Sequence, residues 1–161
     1  VILSDFIEEA RLFVPELSMS LQKEIRALGI PERASIKNPV DMGASGLSMN
    51  EDLMLEVGRK ILLSGEVNAL VLHGIGSPGL LSKHISDEQR SVIDTEKSII
   101  RKFHALEKEY GLPVLIGCHH TQWESRVVWE LNKEGIKMYN RTDEISQILF
   151  AIYRHWLKSK A

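Results

Sequence analysis

Apolar and polar residues follow two different patterns along this chain. In six segments the apolar residues recur at the spacing of an amphipathic helix, and three shorter runs are mainly apolar and have the length of a buried strand. The predicted helices lie within residues 2–10, 17–28, 48–65, 86–111, 121–135 and 145–156. The predicted strands cover residues 67–72, 112–116 and 136–139.

Three of the predicted helices begin with a capping box, in which two side chains three residues apart satisfy each other's backbone amides. The boxes are Ser48 with Glu51, Ser86 with Gln89, and Thr121 with Glu124. The inward faces of two helices also follow from the spacing. The inward residues of the fourth helix are Val92, Ile99, Phe103, Leu106 and Tyr110. Those of the last helix are Ile145, Ile148, Leu149, Ile152 and Trp156.

Strands that are apolar throughout and alternate with amphipathic helices indicate a mainly parallel sheet covered on both faces. The sequence therefore predicts one doubly wound, three-layer α/β/α domain over residues 1–161. Such a domain should open with a strand, whereas this chain opens with a helix and with Val1 instead of Met. We expect an excerpt of a longer protein, with the first strand lost from it or supplied by a neighbouring segment.

Composition narrows the function classes only slightly. The chain has 161 residues, of which 43% are hydrophobic and 26% charged, and its formal net charge of −2 gives no support to a nucleic-acid or anionic-membrane partner. A single cysteine excludes an intramolecular disulfide and fits a reducing cytoplasm. No run approaches the roughly 20 apolar residues of a membrane-spanning helix, and no signal peptide is visible.

A glycine-rich loop (residues 74–79, the glycine loop) follows the first predicted strand and formally matches G-x-G-x-x-G. The context disfavours a dinucleotide site, because no acidic residue ends the next strand and Pro78 lacks an amide that could face phosphate. No lysine of the Walker type follows either. Backbone amides at a strand end can still hold an anion, although the glycines could equally serve only to form a tight turn. The candidate residues are Gly74, Gly76, Ser77 and Gly79.

The segment Asn38-Pro39-Val40-Asp41 predicts a rigid structural loop. Asn and Asp side chains commonly bond backbone amides two or three residues on, and Pro39 is expected to hold Asn38 extended. Gly43 then lets the chain turn closely past a ligand or another domain. Because ligands bind at the carboxyl ends of parallel strands, we expect the linker around residues 38–46, the glycine loop and residues 118–120 to converge there.

Histidine and cysteine give no catalytic or metal assignment. The chain has six histidines and one cysteine, and no pair has a zinc-ligand spacing. His119 and His120 are adjacent, so at most one of them faces a ligand in an extended segment. Cys118 is expected to be a small buried residue. We assign no catalytic residue and no metal ligand.

In chain order, these segments resemble the succinyl-CoA synthetase and ADP-forming acetyl-CoA synthetase superfamily, and specifically its ligase-type, flavodoxin-like domain. Residues 38–41 match the family's Asn-Pro-Val-Asp signature, and residues 14–18 are similar to its second strand and the start of the next helix. Residues 67–72, 112–116 and 135–139 resemble its later strands. The similarity covers nearly the whole chain.

The resemblance implies a domain of an enzyme that converts acid, CoA and nucleoside triphosphate into acyl-CoA, nucleoside diphosphate and phosphate. The phosphoryl group travels on a histidine of another domain, and the glycine loop here would supply a phosphate cradle at a helix N-terminus. CoA, ATP or ADP and Mg would be bound by partner CoA-binding, second ligase and ATP-grasp units. The family's succinyl-type members carry Gly-Gly where this chain has Gly76-Ser77.

Two other functions remain open at this point. The chain could be a non-catalytic regulatory or interaction domain of an acyl-CoA synthetase-like protein, such as a protein acetyltransferase fusion, that keeps the Asn38 loop for folding. It could also be a module for FMN or a dinucleotide, which the absorbance of a bound cofactor would reveal.

Overall fold

A computed structural model describes residues 2–42, 51–82 and 84–160 of the chain. Within these ranges the helices are α1 (Ile2–Glu9), α2 (Met19–Ala27), α3 (Glu51–Leu63), α4 (Asp87–Tyr110), α5 (Arg126–Lys133) and α6 (Thr142–Lys160). The strands are β1 (Leu70–His73), β2 (Val114–Gly117) and β3 (Met138–Tyr139). In this part of the chain no helix has both the length and the apolar character needed to cross a membrane.

The three strands form one parallel sheet in the order β1-β2-β3. Leu70 pairs with Val114, and Ile116 pairs with Met138. Helices α4 and α5 connect the strands, as parallel pairing requires a crossover. The chain is therefore a mixed α/β protein, as the sequence predicts. The three described strands run in chain order, so their order contains no reversal of the kind that marks a switch point.

Helices cover both faces of the sheet. On one face Val114, Ile116 and Met138 share a core with buried residues of α3, α4 and α5. On the other face Leu115 packs with Ile145 and with further residues of α6 and α1. This is the burial on two sides that the uninterrupted apolar strands predict.

A second core lies between α2 and α3. Leu21 and Ile25 of α2 are buried against Val57 and Ile61 of α3. The same core takes the partly buried side chains that flank it in the linker and at the start of β1, namely Val40, Met42, Val67 and Leu70. The linker around Asp41 is therefore held against α2 and α3.

The amino end of α4 confirms its capping box. Ser86 Oγ accepts from the Gln89 amide, and the Gln89 side chain accepts from the Ser86 amide at 2.9 Å. Gly111 ends the helix with a left-handed φ of +66°. One inward residue was predicted wrongly: Val92 is exposed, and Ile93 is fully buried in its place. Helical spacing alone placed the stripe one residue off at this point.

Only one half of the predicted capping box at Thr121 forms, as part of a turn, and it does not begin a helix. Glu124 accepts hydrogen bonds from the Thr121 amide and hydroxyl, both at 2.8 Å. Helix α5 starts at Arg126 instead, and Ser125 is its N-cap. Glu124 is drawn back onto Thr121, so the chain turns once more before the helix begins. The predicted box at Ser48 and Glu51 lies outside the residues and side chains that the structure describes.

Two further expectations need correction. Residues 14–18, similar to a family strand, form no strand here; Leu17 is instead tied to the linker by a hydrogen bond from its amide to the Lys37 carbonyl. In α6 only the first half of the predicted stripe is buried. Ile152 and Trp156 are 37% and 52% exposed, because the helix runs on beyond the sheet that covers its first turns.

Candidate functional site

The carboxyl ends of the three strands meet at one edge of the sheet. His73 and Gly117 are paired in register, and Gly117 is in turn paired with Tyr139. The ladder continues one step further, since the Cys118 amide donates to the Tyr139 carbonyl at 2.9 Å. The glycine loop leaves the sheet from this edge, where parallel α/β proteins bind their ligands.

The first half of the glycine loop lies tightly against the sheet. The Gly74 amide donates to the Gly117 carbonyl at 3.1 Å. Gly76 is buried with a φ of +105°, and a Cβ there would lie 3.1 Å from Met138 Cε and 3.5 Å from Cys118 Cβ. Both the backbone conformation and the contact explain why this position is glycine.

Ser77 holds a carboxylate of its own chain. Its amide donates to one oxygen of Glu96 and its hydroxyl to the other, both at 2.9 Å. Glu96 belongs to α4 and is only 2% exposed, although it carries an acidic group. A buried carboxylate that meets two convergent donors is in the arrangement by which proteins bind oxyanions.

The second half of the loop is fastened to the start of α5. Gly79 forms an isolated parallel bridge with Ser125, its amide donating to Glu124 and its carbonyl accepting from Arg126. Buried Ser125 donates its hydroxyl proton to the Ser77 carbonyl at 2.7 Å. The loop therefore lies beside the amino end of α5.

The candidate phosphate residues are thus in one loop, and most of their amides have internal partners. The amides of Gly74, Ser77 and Gly79 donate to Gly117, Glu96 and Glu124 respectively. The next helix in the chain, α4, begins only at Asp87, and its first turn carries Asp87 and Glu88, which disfavour an anion there. Phosphate binding by this loop stays a prediction.

Arg126 binds the segment that follows the glycine loop. Its guanidinium donates to the Leu80 carbonyl at 3.3 Å and to the Ser82 carbonyl at 2.9 Å, and it pairs with Glu130 at 3.2 Å. These contacts use the cation for structure, so it is not free to face a ligand.

Two histidines face each other at the same edge. The rings of His73 and His119 meet edge to face with centroids 4.8 Å apart. Burial lowers the pKa of His73, and the neighbouring His119 lowers that pKa further. Gly117 makes room for the ring, since a Cβ there would lie 2.4 Å from His73 Cδ2. His120 is not part of this ring contact.

Cys118 is buried, as expected from the sequence. It is 1% exposed, and its thiol donates to the His120 carbonyl at 3.0 Å. Burial raises the pKa of the thiol, which favours the unreactive protonated form. Over the described part of the chain, no group of three or more His, Cys, Asp or Glu residues could hold a metal ion.

The Asn38 loop is anchored to the segment before α2 and by contacts within the loop itself. The Asn38 side chain donates to the Pro15 carbonyl at 2.9 Å, the Ser35 hydroxyl donates to the Pro39 carbonyl at 3.2 Å, and Ser35 and Asp41 form an antiparallel bridge. Asn38 has a φ of +117°, so the expectation of an extended Asn38 is wrong. Asparagine tolerates positive φ better than most residues.

Gly43, the last candidate of this loop, lies outside the described residues. Of the three segments expected to converge, the structure brings together the glycine loop and residues 118–120. Residues 43–46 of the linker lie outside the described residues, and Val40 and Met42 of its described part pack on the α2–α3 core. Glu96 was not singled out from the sequence, although it stands three residues after Ile93 and four before Ile100, on the buried stripe of α4.

The chain matches no protein-family model, no curated protein and no solved structure.

Proposed function

We propose that this chain is a flavodoxin-like ligase domain of a nucleoside-diphosphate-forming acyl-CoA synthetase that works in the cytoplasm. It acts together with CoA-binding, second ligase and ATP-grasp units, which bind CoA, ATP or ADP and Mg and carry the phosphohistidine. The stretches that resemble the family's later strands overlap β1, β2 and β3. In this proposal the domain contributes contacts to those units and the anion-binding glycine loop.

The observation that carries the proposal is the pair of hydrogen bonds by which Ser77 holds the Glu96 carboxylate. The amide and hydroxyl of Ser77 already hold the two oxygens of Glu96 at the carboxyl edge of a parallel sheet. Two convergent donors suit a phosphoryl group as well as a carboxylate, because both present several acceptor oxygens with negative charge. A phosphoryl group would take the place of the Glu96 carboxylate when the domain engages its partners.

Reconstitution tests this function. The chain is combined with the CoA-binding, second ligase and ATP-grasp units encoded in the same genome, and ADP release is measured with acid, CoA and ATP. We expect ADP release that depends on both acid and CoA and that falls to background when the chain is omitted. Release that is unaffected by the omission would contradict the proposed function. Turnover by the chain alone would contradict the division of labour between the domains.

The hydrogen bonds between Ser77 and Glu96 also support a second candidate function. If Glu96 never leaves Ser77, the donors are permanently satisfied and the loop is purely structural. The chain would then be a non-catalytic regulatory or interaction domain of an acyl-CoA synthetase-like protein. Phosphate binding at Ser77 after Glu96 is neutralised separates the two functions, since only the first requires an anion site that can be vacated.

A further inference from the structure

The last turns of α6 expose a row of large apolar side chains. The row continues the stripe that is buried on the sheet at Ile145 and Leu149. We call it the α6 terminal face, and it consists of Ile152, Tyr153, Trp156 and Leu157, which are 37%, 42%, 52% and 44% exposed. Residues at these spacings share one side of a helix, so the face is contiguous.

The last turns of α6 carry basic side chains and no acidic ones. No Asp or Glu occurs after Glu144, whereas these turns carry Arg154, Lys158 and Lys160, and the first two fall on the side of the helix opposite the apolar row. Residues 151–160 are exposed on all sides of the helix, so these side chains are accessible together with the apolar row. A helix that is apolar on one side and basic on the other is typical of segments that bind an acidic apolar groove or a lipid surface.

We propose that the α6 terminal face docks into a groove of another protein or domain that has an apolar floor and an Asp- and Glu-rich rim. Trp156 and Tyr153 supply the aromatic anchors that dominate such interfaces. The basic side chains pair with the acidic rim and give the contact its specificity. This inference is independent of the glycine loop and of the proposed enzymatic function.

Charge argues against two other occupants of this face, a second copy of the chain and an anionic membrane. A second copy that pairs with this face across a two-fold axis would bring the same basic residues of α6 to it, which is repulsive. An anionic bilayer is an extended surface that would also meet the rest of a chain whose formal net charge is −2. Two helical turns also bury little apolar area compared with the longer helices that lie in membrane interfaces. A groove contacts only the helix end and avoids both costs.

Calcium-loaded calmodulin is a suitable probe, because its methionine-rich groove is acidic and closes when calcium is removed. Binding to the chain is measured by titration calorimetry with calcium and with EGTA. We expect binding only with calcium, a loss of affinity of at least about tenfold for Trp156→Ala, and a similar loss for the double substitution Arg154→Glu and Lys158→Glu.

The matched control is Trp123→Ala. Trp123 is 74% exposed but lies just before α5, away from the α6 terminal face, so its loss should leave the affinity unchanged. Equal effects of the two tryptophan substitutions, or no binding with calcium, would overturn the proposal. So would sedimentation of the chain with phosphatidylglycerol vesicles but no calmodulin binding, or a dimer in solution that Trp156→Ala dissociates. Circular dichroism confirms that each variant remains folded.

Discussion

At the scale of single residues, Gly117 has less room for a side chain than any other glycine that the structure describes. A methyl group there would lie 2.4 Å from His73 Cδ2 and 2.8 Å from Ile145 Cδ1. We therefore expect Gly117→Ala to lower the free energy of unfolding by about 1–3 kcal/mol, the usual cost of overpacking a core. Urea denaturation of the variant and the parent chain measures the difference.

A double-mutant cycle provides the control for this prediction. In a His73→Ala background the ring is absent, and of the three nearest atoms only Ile145 Cδ1, the end of a flexible side chain, remains. The cost of Gly117→Ala should then fall to below about 1 kcal/mol, and the difference between the two costs is the coupling of residues in contact. An equal cost in both backgrounds would show that the ring does not limit this site.

His73 also predicts how stability depends on pH. Burial, and then His119, lower its pKa from the ordinary value of 6.5 in the folded chain. The unfolded chain consequently binds the proton more readily, so the His73 contribution is fully present above pH 6.5 and is lost as the pH falls through the folded pKa. We expect urea denaturation to show a lower free energy of unfolding at pH 5 than at pH 7.5.

The substitution His119→Gln isolates the part of the pKa lowering of His73 that is due to His119. It removes the neighbouring charge but leaves the burial of His73, so the pKa of His73 should move part of the way back towards its ordinary value. An NMR titration of the His73 ring protons measures this in both chains. A folded-state pKa of His73 at or above 6.5 in the parent chain would contradict the burial argument.

At the scale of elements, the two helix caps should differ in their contribution. Ser86 caps α4 at the surface, whereas Ser125 is fully buried, caps α5 and also donates to the Ser77 carbonyl. We expect Ser86→Ala to cost about 1 kcal/mol and Ser125→Ala about 2–3 kcal/mol, because the second change also leaves a carbonyl unsatisfied. Thermal or urea unfolding of both variants compares them, and equal costs would contradict this role of Ser125.

Helices α4 and α5 are also joined by ion pairs of unequal burial. Lys97, only 8% exposed, contacts Glu130 at 2.5 Å and the more exposed Glu134 at 3.5 Å. Glu130→Gln should cost about 3 kcal/mol, since it removes the main partner of buried Lys97 and the carboxylate that Arg126 also contacts. The control Glu134→Gln should cost below about 1 kcal/mol, as for surface pairs. Urea denaturation measures both, and the reverse order would contradict the argument.

Helix α4 illustrates how far local patterns could be used to predict this fold. Its capping box at Ser86 and its stop at Gly111 depend on neighbouring residues, and both are confirmed. Its buried face was predicted less well, because Val92 and Ile93 are both apolar and only tertiary packing selects Ile93. Glu96 on that face could have been noticed as an acid among apolar neighbours. Its bond to Ser77, 19 residues away, could not be inferred from helical spacing.

At the scale of the whole molecule, the parallel α/β architecture was predictable and the site only partly so. Apolar runs located all three strands, and the edge where they end followed from their parallel pairing. The place of the Asn38 loop did not follow, because its long-range bond to Pro15 and its packing on α2 and α3 have no local signature. Where a loop docks depends on contacts distant in sequence.

The central claim is that Ser77 presents an anion site that Glu96 occupies from within the chain. It is tested most directly by following the ¹⁵N–¹H resonances of Ser77 and Gly76 during titration with inorganic phosphate. Glu96→Gln keeps an oxygen acceptor but removes the charge, which weakens its hold on the two donors by about 1 kcal/mol or more.

We predict that the phosphate concentration that produces half of the shift of the Ser77 resonance is about tenfold lower in Glu96→Gln than in the parent chain. Adding Ser77→Ala to that variant should weaken phosphate binding again, as followed by the Gly76 resonance, because the hydroxyl donor is gone. A Ser77 resonance that does not respond to phosphate in Glu96→Gln, in a variant that is folded by circular dichroism, would contradict the anion site.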